Sequence, residues 1–475
     1  MYKAYITTLK NVRKHPNADR LLLGDCFGNT VCVSLDYAEG EIGVYFPTDG
    51  QLSTEFAEKN NLLRKKDDAG NNIGGYMDPD KRNVTAIRLR GEKSDGLFLP
   101  LSCLAYTGVD MDTLNVGDVI EGTVNGHEIC CKYIPRSSSS NRANQGGNRT
   151  RKKKVPTAPL FKEHADTEQL AYNLGAFKIG DELEITLKLH GTSQRTGHLP
   201  TLKGYKRNLW EKLTRKEGTP TYDWGYVSGT RRVVLENYEG GFYGSNEFRE
   251  EHSKRFEGKL AKGETVYYEV VGFQTDGTPI MGSGDNKKLN DKNFIKQYGE
   301  KTVFSYGCSP ISNATIIDYV EGFAEYTPVG PQSDTYVYRM TMTNEDGEVV
   351  EYTPDFMRYR CEQMGIKTVP VFGKAIISAD RVHFVAPDGY DHDYLLKEGM
   401  TLGDIVMKIA EEFYDGADPI GKTHVREGVV VRIVNRPKFA AYKHKNFSFK
   451  CLSGIAIAEA EVNGINIDES VVAEM

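Results

Sequence analysis

The sequence predicts an α+β protein of more than one domain, and three observations carry that prediction. Short strand patterns bounded by turn residues crowd the first 125 residues, a basic stretch free of acids follows, and from about residue 161 strand and helix periodicities alternate. At 475 residues the chain is long enough for two or three domains with substantial cores. A hydrophobic share of 39% and a charged share of 27% are those of a soluble globular chain, and a net charge of −6 excludes a polycation overall. The eight cysteines are scattered without a C-x-x-C pair, so neither a zinc site nor a disulfide framework is expected, and a reducing compartment is. No apolar run reaches membrane-spanning length and the N-terminus has no signal-peptide core, which reads as an intracellular, cytoplasmic protein that is not secreted.

In the first segment, 1–125, candidate strands are Tyr2–Leu9, Arg20–Cys26, Thr30–Leu35, Gly43–Phe46, Val84–Leu89 and Gly96–Pro100, with Gly, Asn and Asp turns between them. So many short strands in so little chain predict a small barrel of the OB type. The phrase from His15 to Leu21 resembles OB domains that bind tRNA, although a Pro-Asn turn before a strand accounts for it equally well. The loop Leu89–Gly96 reads as a hairpin.

Residues 126–160 read as a flexible linker, with Ser137 to Ser140, Gly146, Gly147, Pro156 and Pro159 as linker chemistry. From Lys132 to Lys162 there is no Asp or Glu, while Arg136, Arg142, Arg149, Arg151, Lys152, Lys153 and Lys154 accumulate. Such a run is either a solvated tether or an arm that tracks phosphates.

The larger segment, 161–455, is expected to be α+β. His164 to Ala171 reads as a short capped helix, and further helices are expected at Asp355–Met364 and Thr401–Tyr414. Strands are expected around 183–190, 225–235, 265–273, 302–307, 336–343, 370–376, 427–434 and 438–443. An acidic tail, 456–475, closes the chain. Leu183, Ile185, Leu187 and Leu189 alternate with Glu184, Thr186, Lys188 and His190, the period of a half-buried strand, so Lys188 and His190 share its polar face. Gly191 then allows close backbone approach to a ligand.

Four later stretches join Lys188. Val266–Gly272 carries one carboxylate, Glu269, among apolar neighbours, and Val303–Gly307 ends in Tyr306. Glu427 stands before Gly428 at the start of an apolar strand, and Lys443 and Lys445 share one face of an extended segment. A carboxylate within such a strand is costly unless it meets a cation, a metal or a ligand. In this order the stretches are K-x-H-G, Y-x-E-x-x-G, an aromatic strand, E-G-x-V and K-x-K.

That series resembles the covalent nucleotidyltransferases, and His190 followed by Gly191 and Thr192 resembles the nick-sealing branch of the ATP-dependent RNA ligases. The resemblance covers roughly 160–451 by motifs and 1–125 more loosely. It implies an adenylation domain of ATP-grasp-like antiparallel sheets with helices, joined by the basic linker to the OB-like barrel. It also implies that Lys188 attacks the α-phosphorus of ATP to form a lysine–adenylate. The AMP then passes to an RNA 5′-phosphate, and the 3′-hydroxyl closes the bond. Lysine at its free pKa near ~10.4 is almost wholly protonated, so such chemistry needs a neighbouring cation, supplied by Lys443, Lys445 or Mg²⁺ (alternatively Mn²⁺). Glu427 and phosphate oxygens are the implied metal ligands. By the same resemblance Glu269 holds the ribose and Tyr306 stacks on adenine. His190, Gly191 and Ser193 line the nucleotide, and Arg231 contacts phosphate, with Arg195 and Arg232 as alternatives.

The chain departs from the family after Lys450, where there is no room for a C-terminal OB or helical domain; the N-terminal barrel and the basic arm are expected to grip the RNA instead. A monomer is expected. A capping-type guanylyltransferase and a non-catalytic RNA-binding protein on a ligase fold are the rival readings. The P-loop pattern from Gly416 to Thr423 is set aside because a helix precedes it and a strand follows, the reverse of a phosphate-cradling loop.

Overall fold

The computed structural model describes residues 2–65, 73–133, 155–164, 167–208, 210, 218–231, 233–235, 238, 247–272, 280, 302–303, 311–312, 333–420 and 425–451. The chain forms two units, one of Met1–Arg142 with Phe447–Met475 and one of Ala143–Asn446. Both are rich in sheet and poor in helix, so the molecule is α+β.

In the first unit the expected strands form, as Ala4–Thr8, Leu21–Cys26, Asn29–Ser34, Ile42–Phe46, Ala86–Leu89 and Leu97–Pro100. Leu97–Pro100, Ile42–Phe46, Ala4–Thr8 and Val119–Ile120 make a four-stranded sheet, and the remaining strands make small sheets of two or three. Among the described residues these ladders do not close on one another, so the closed barrel expected from strand density is not what forms. Strands of two to six residues pair in separate short ladders, some between neighbours in sequence and some, such as Tyr5 with Tyr45 and Leu52 with Cys130, far apart, and the core of Val44, Phe46, Leu52, Phe56, Leu99 and Leu104 is shared between them. Strands continue past residue 125, to Cys130–Lys132. His15 is buried and sets Nε2 3.1 Å from the Leu89 carbonyl, while the Asn17 side chain donates to the Arg90 carbonyl at 2.9 Å. The His15–Leu21 phrase thus fastens one turn to another. Lys450 pairs with the buried Asp95 at 2.6 Å, which ties the returning C-terminal segment into this unit.

The second unit is built on two sheets. Its main elements, in chain order, are β1 (Glu182–Leu187), β2 (Thr192–Lys206), β3 (Thr219–Gly229), α1 (Glu247–Lys254), β4 (Glu264–Gly272), β5 (Ser333–Thr343), α2 (Pro354–Met364), β6 (Val371–Ile377), α3 (Leu402–Phe413), β7 (Gly428–Ile433) and β8 (Ala440–Lys445). One sheet runs Glu168–Gln169, β8, β7, β1, β6, Arg381–Val385, Asp391–Leu395; the other runs β3, β2, β4, β5, Val349–Glu351. The chain crosses from the first to the second between β1 and β2.

Both expected long helices form. Thr353 caps α2, Pro354 opens it and Gly365 closes it in the left-handed region; Thr401 and Asp404 make a reciprocal capping box on α3. The helix expected at His164–Ala171 does not form: Glu168–Gln169 pairs parallel to β8, and the available ladder overrides local propensity. β1 is buried on both faces rather than half-buried, because β7 and β6 flank it and α2 covers its polar side. Glu184 there is 4% exposed and paired with Arg358 of α2 at 2.7 Å.

That pair gives a stability prediction. Arg358→Met should destabilise the fold by about 2–4 kcal/mol, because it leaves a buried carboxylate without its cation. Adding Glu184→Leu should recover most of the loss. Equal losses in the single and double variants, measured by denaturant unfolding, would show that the pair is not coupled.

Candidate active site

The site is organised by Glu427, which lies just before β7 and is 4% exposed. Its Oε1 is 2.7 Å from Lys188 Nζ and 3.5 Å from Lys445 Nζ, and its Oε2 is 3.4 Å from His190 Nδ1. The sheet register explains the meeting. Leu187 opposes Val429, the Lys188 amide donates to the Gly428 carbonyl at 2.9 Å, and Gly428 opposes Lys445. Three central strands therefore deliver a lysine, a carboxylate and a second lysine to one end of the sheet. Lys443 sits two residues back on the same face of β8, opposite Val430.

Two glycines permit the crowding. Gly428 has φ +143°, and a Cβ there would lie 2.0 Å from the His444 carbonyl oxygen. At Gly191 a Cβ would meet the Val270 carbonyl at 2.5 Å and Glu269 Cγ at 2.7 Å. The absence of a side chain at Gly191 thus brings the Lys188–His190 turn onto β4, the strand that carries Glu269.

Across this turn the second sheet presents Ser193 and Glu269, directly opposed in the β2–β4 ladder. Ser193 Oγ is 3.0 Å from the Tyr338 hydroxyl. Arg249 of α1, buried, donates to the Ser193 carbonyl at 3.3 Å and to the Thr192 hydroxyl. Arg231 is exposed, its carbonyl accepts from the His164 amide at 3.0 Å, and its charge acts on Glu269 and Tyr338. Arg195 is drawn elsewhere: it is 1% exposed and its guanidinium lies 4.2 Å from the Phe161 ring centre, with Nε and Nη1 making no hydrogen bond among the described residues. Arg232 and Tyr306 lie outside the described residues, as do Gly421 to Thr423 of the P-loop pattern. The elements around that pattern run α3 and then β7, in the expected order.

Arg249, Tyr338 and His164 were missed by sequence reasoning. Arg249 sits in a polar helix, and Tyr338 lies in a strand whose alternation a bulge at its pairing with β4 disturbs. His164 is buried against Tyr267 and Tyr338, and its Nδ1 accepts from Arg339 at 2.9 Å. Burial, with Arg339, Arg231 and Arg195 nearby, pushes its pKa down to about 3, so the ring is neutral.

The two carboxylates are tuned in opposite directions. Burial opposes the charge on Glu427, but Lys188, then Lys445 and His190, outweigh it and hold its carboxyl well below the ordinary value. Glu269 has no such direct partner among the described ion pairs. Burial raises its pKa to about 7, against the opposing pull of Lys188, and Glu427 pushes it the same way as burial. Among the described residues no three His, Cys, Asp or Glu side chains are grouped to hold a metal, so a cation here would depend on Glu427 and on oxygens brought by a ligand.

No protein-family model matches the chain, and no curated protein matches it. Among solved structures it is similar to Naegleria gruberi RNA ligase with PPi, at 16% identity over 94% of this chain and 97% of that one, with a TM-score of 0.50. A mutant form of the same ligase with AMP and Mn matches at 15% identity, 94% and 97% coverage, and a TM-score of 0.50. The fold is therefore that of an RNA ligase over nearly the full length of both chains.

The raised pKa of Glu269 sets a pH dependence. Between its ordinary value of about 4.5 and about 7 the native state holds a proton that the unfolded chain has released. The stability this contributes is fully present below the lower value and is lost as pH rises through the upper one. Glu269→Gln, which cannot ionise, should gain stability over the wild type by on the order of 2 kcal/mol as pH is raised from about 5 to about 8. Parallel pH–stability curves for the two proteins would contradict the assignment.

Proposed function

We propose that the protein is an ATP-dependent RNA ligase that joins 3′-hydroxyl and 5′-phosphate RNA ends through a lysine–AMP intermediate on Lys188. The observation that carries this reading is the meeting of Lys188, Glu427, His190 and Lys445 at one sheet end, with Glu269 and Ser193 opposite, within an RNA-ligase fold.

In the first step Lys188 Nζ, as the neutral amine, attacks the α-phosphorus of ATP. A P–N bond forms, the α–β anhydride breaks, and pyrophosphate leaves. Lys188 must first leave Glu427, and Lys445, already 3.5 Å from the same oxygen, keeps that carboxylate neutralised when it does. Lys445 and Lys443 then face the charge building on the phosphates. Next, an oxygen of the RNA 5′-phosphate attacks the adenylyl phosphorus and expels Lys188. Finally the 3′-hydroxyl attacks the 5′-phosphorus and AMP leaves. Glu269 accepts hydrogen bonds from the ribose hydroxyls, Tyr306 stacks on adenine, and His190, Gly191 and Ser193 border the nucleotide, with Arg231 on phosphate. Glu427 would serve as a ligand for Mg²⁺ or Mn²⁺, because both lysines lie on Oε1 and only His190, at 3.4 Å, approaches Oε2. A cation bound there supplies neutralisation of phosphate charge. The strand-rich first unit, read as an OB-like domain, and the basic arm hold the broken RNA, so binding should weaken with salt.

The test is incubation with ATP, and separately GTP, each radiolabelled at the α-phosphate, followed by a denaturing gel. Wild type should label with ATP, Lys188→Ala should not label, and Lys445→Ala should label on the order of a hundredfold more slowly. Labelling by GTP alone would favour a capping-type guanylyltransferase, and no label from either nucleotide would leave a non-catalytic binder.

A further inference from the structure

The long hairpin of β2 and β3 extends past the sheet it belongs to. β2 pairs with β4 only from Thr192 to Gly197, but its ladder with β3 continues to Lys206 opposite Thr219. Beyond Gly197 the hairpin is a two-stranded ribbon, and β3 is the edge of the sheet. Residues opposed in an antiparallel ladder share a face, so Tyr226, Trp224, Tyr222 and Pro220 lie on one face with His198, Pro200, Leu202 and Tyr205.

That face is an aromatic stripe which emerges from the core. Tyr226 packs on the core and stacks on His198 at 4.6 Å and 17°. Trp224 is half-buried, edge-on to His198 at 6.0 Å and with Lys262 Nζ 5.5 Å from its ring centre. Further out, Tyr222 and Tyr205 are 36% and 45% exposed. A ribbon tip that served only the fold would have little use for two large aromatics left more than a third exposed to solvent.

The charge around the stripe is basic. Arg207 extends from the end of β2 and Lys262 stands by Trp224, while Lys206 lies on the opposite face, where Lys203 pairs with Asp223 at 3.5 Å. A second observation points the same way. The Leu202 amide donates to the Thr157 carbonyl at 2.7 Å and the Tyr222 hydroxyl donates to the Pro156 carbonyl at 3.2 Å. Pro156 and Thr157 directly follow the run Arg151, Lys152, Lys153 and Lys154 in sequence, so the described residues next to the basic run are hydrogen-bonded to this ribbon. Aromatic rings at every second residue, flanked by lysine and arginine, match the chemistry of unpaired bases on a phosphate backbone.

We propose that this ribbon binds single-stranded RNA, stacking unpaired bases on Tyr205, Tyr222 and Trp224 while Arg207 and Lys262 meet the phosphates. The inference rests on the RNA-joining reading and narrows its substrate to breaks with unpaired bases beside them. A fully paired duplex cannot offer its bases to the stripe.

The chain has two tryptophans, Trp210 and Trp224, and both belong to this hairpin, so intrinsic fluorescence reports on it directly. The experiment titrates the full-length chain, as wild type and as Trp210→Phe, with a 5′-phosphorylated single-stranded RNA and with a blunt RNA duplex. Single-stranded RNA should quench Trp224 emission saturably and the duplex should not. Tyr205→Ala with Arg207→Ala should weaken single-strand binding about tenfold and reduce its salt dependence. Adenylation by labelled ATP is measured on the same preparations and should be unchanged. Quenching without adenylation would keep the ribbon and remove the ligase reading. Adenylation without quenching, or equal quenching by duplex, would overturn the ribbon alone. Self-association lost in the double variant, with RNA affinity intact, would assign the face to a second copy of the chain and overturn the proposal.

Discussion

A buried carboxylate shared by three basic side chains is the constraint on which the rest of the second unit depends. Glu427 is nearly inaccessible to water, and an ionised carboxylate in such a place is unfavourable unless cations compensate it. Lys188 and Lys445 converge on Oε1, and His190 approaches Oε2. That convergence is possible only if β1, β7 and β8 are neighbours in this register, because a slip of one residue would turn each side chain to the opposite face. The sheet order and the site are therefore one requirement.

The same requirement explains where the backbone is crowded. Glycine at 428 lets β7 start under the His444 carbonyl, and glycine at 191 lets the chain leave β1 pressed against β4. The crossing between sheets is tight at the point where the chain passes from Lys188 to the strand opposite Glu269. Arg358 on Glu184 and Arg360 on Glu264 at 2.7 Å then secure α2 against both sheets, so that the frame around the crossing is held by buried ion pairs as well as by apolar packing.

Much of this was legible in the sequence, and the reasons differ by residue. Glu427 was readable because a carboxylate in an apolar strand requires a partner, whereas Lys188 and Lys445 stood out through the ordered series of motifs; the structure brings the three together. The helices were readable from caps and stripes. β2 was not, since Gly197, Pro200 and Gly204 interrupt the pattern by which strands are recognised; a bulge at Lys203 and a partner strand with its own run of aromatics absorb those interruptions. The barrel expected in the first unit failed in its closure rather than its strands, because alternation specifies which residues pair but not how many ladders join. Arg249 and Tyr338 depend on contacts across 50 residues or more, such as the 3.0 Å approach of Tyr338 to Ser193, and no local pattern announces them.

Glu427 and Glu269 show how position alone assigns different behaviour to the same side chain. Both are carboxylates whose electrostatic surroundings include Lys188, one at the end of each sheet. Glu427 receives cations at contact distance and stays charged. Glu269 lies on the second sheet with its cations further off, so burial dominates and its carboxyl titrates near neutrality, at about 7. A carboxylate already committed to two lysines is suited to hold positive charge in place while one of those lysines departs. One poised near neutrality is suited to accept hydrogen bonds from a neutral polar ligand, whose arrival stabilises the charged form without demanding a counterion. The pairing of a fixed charge with a ligand-responsive one follows from the two sheets meeting at Gly191.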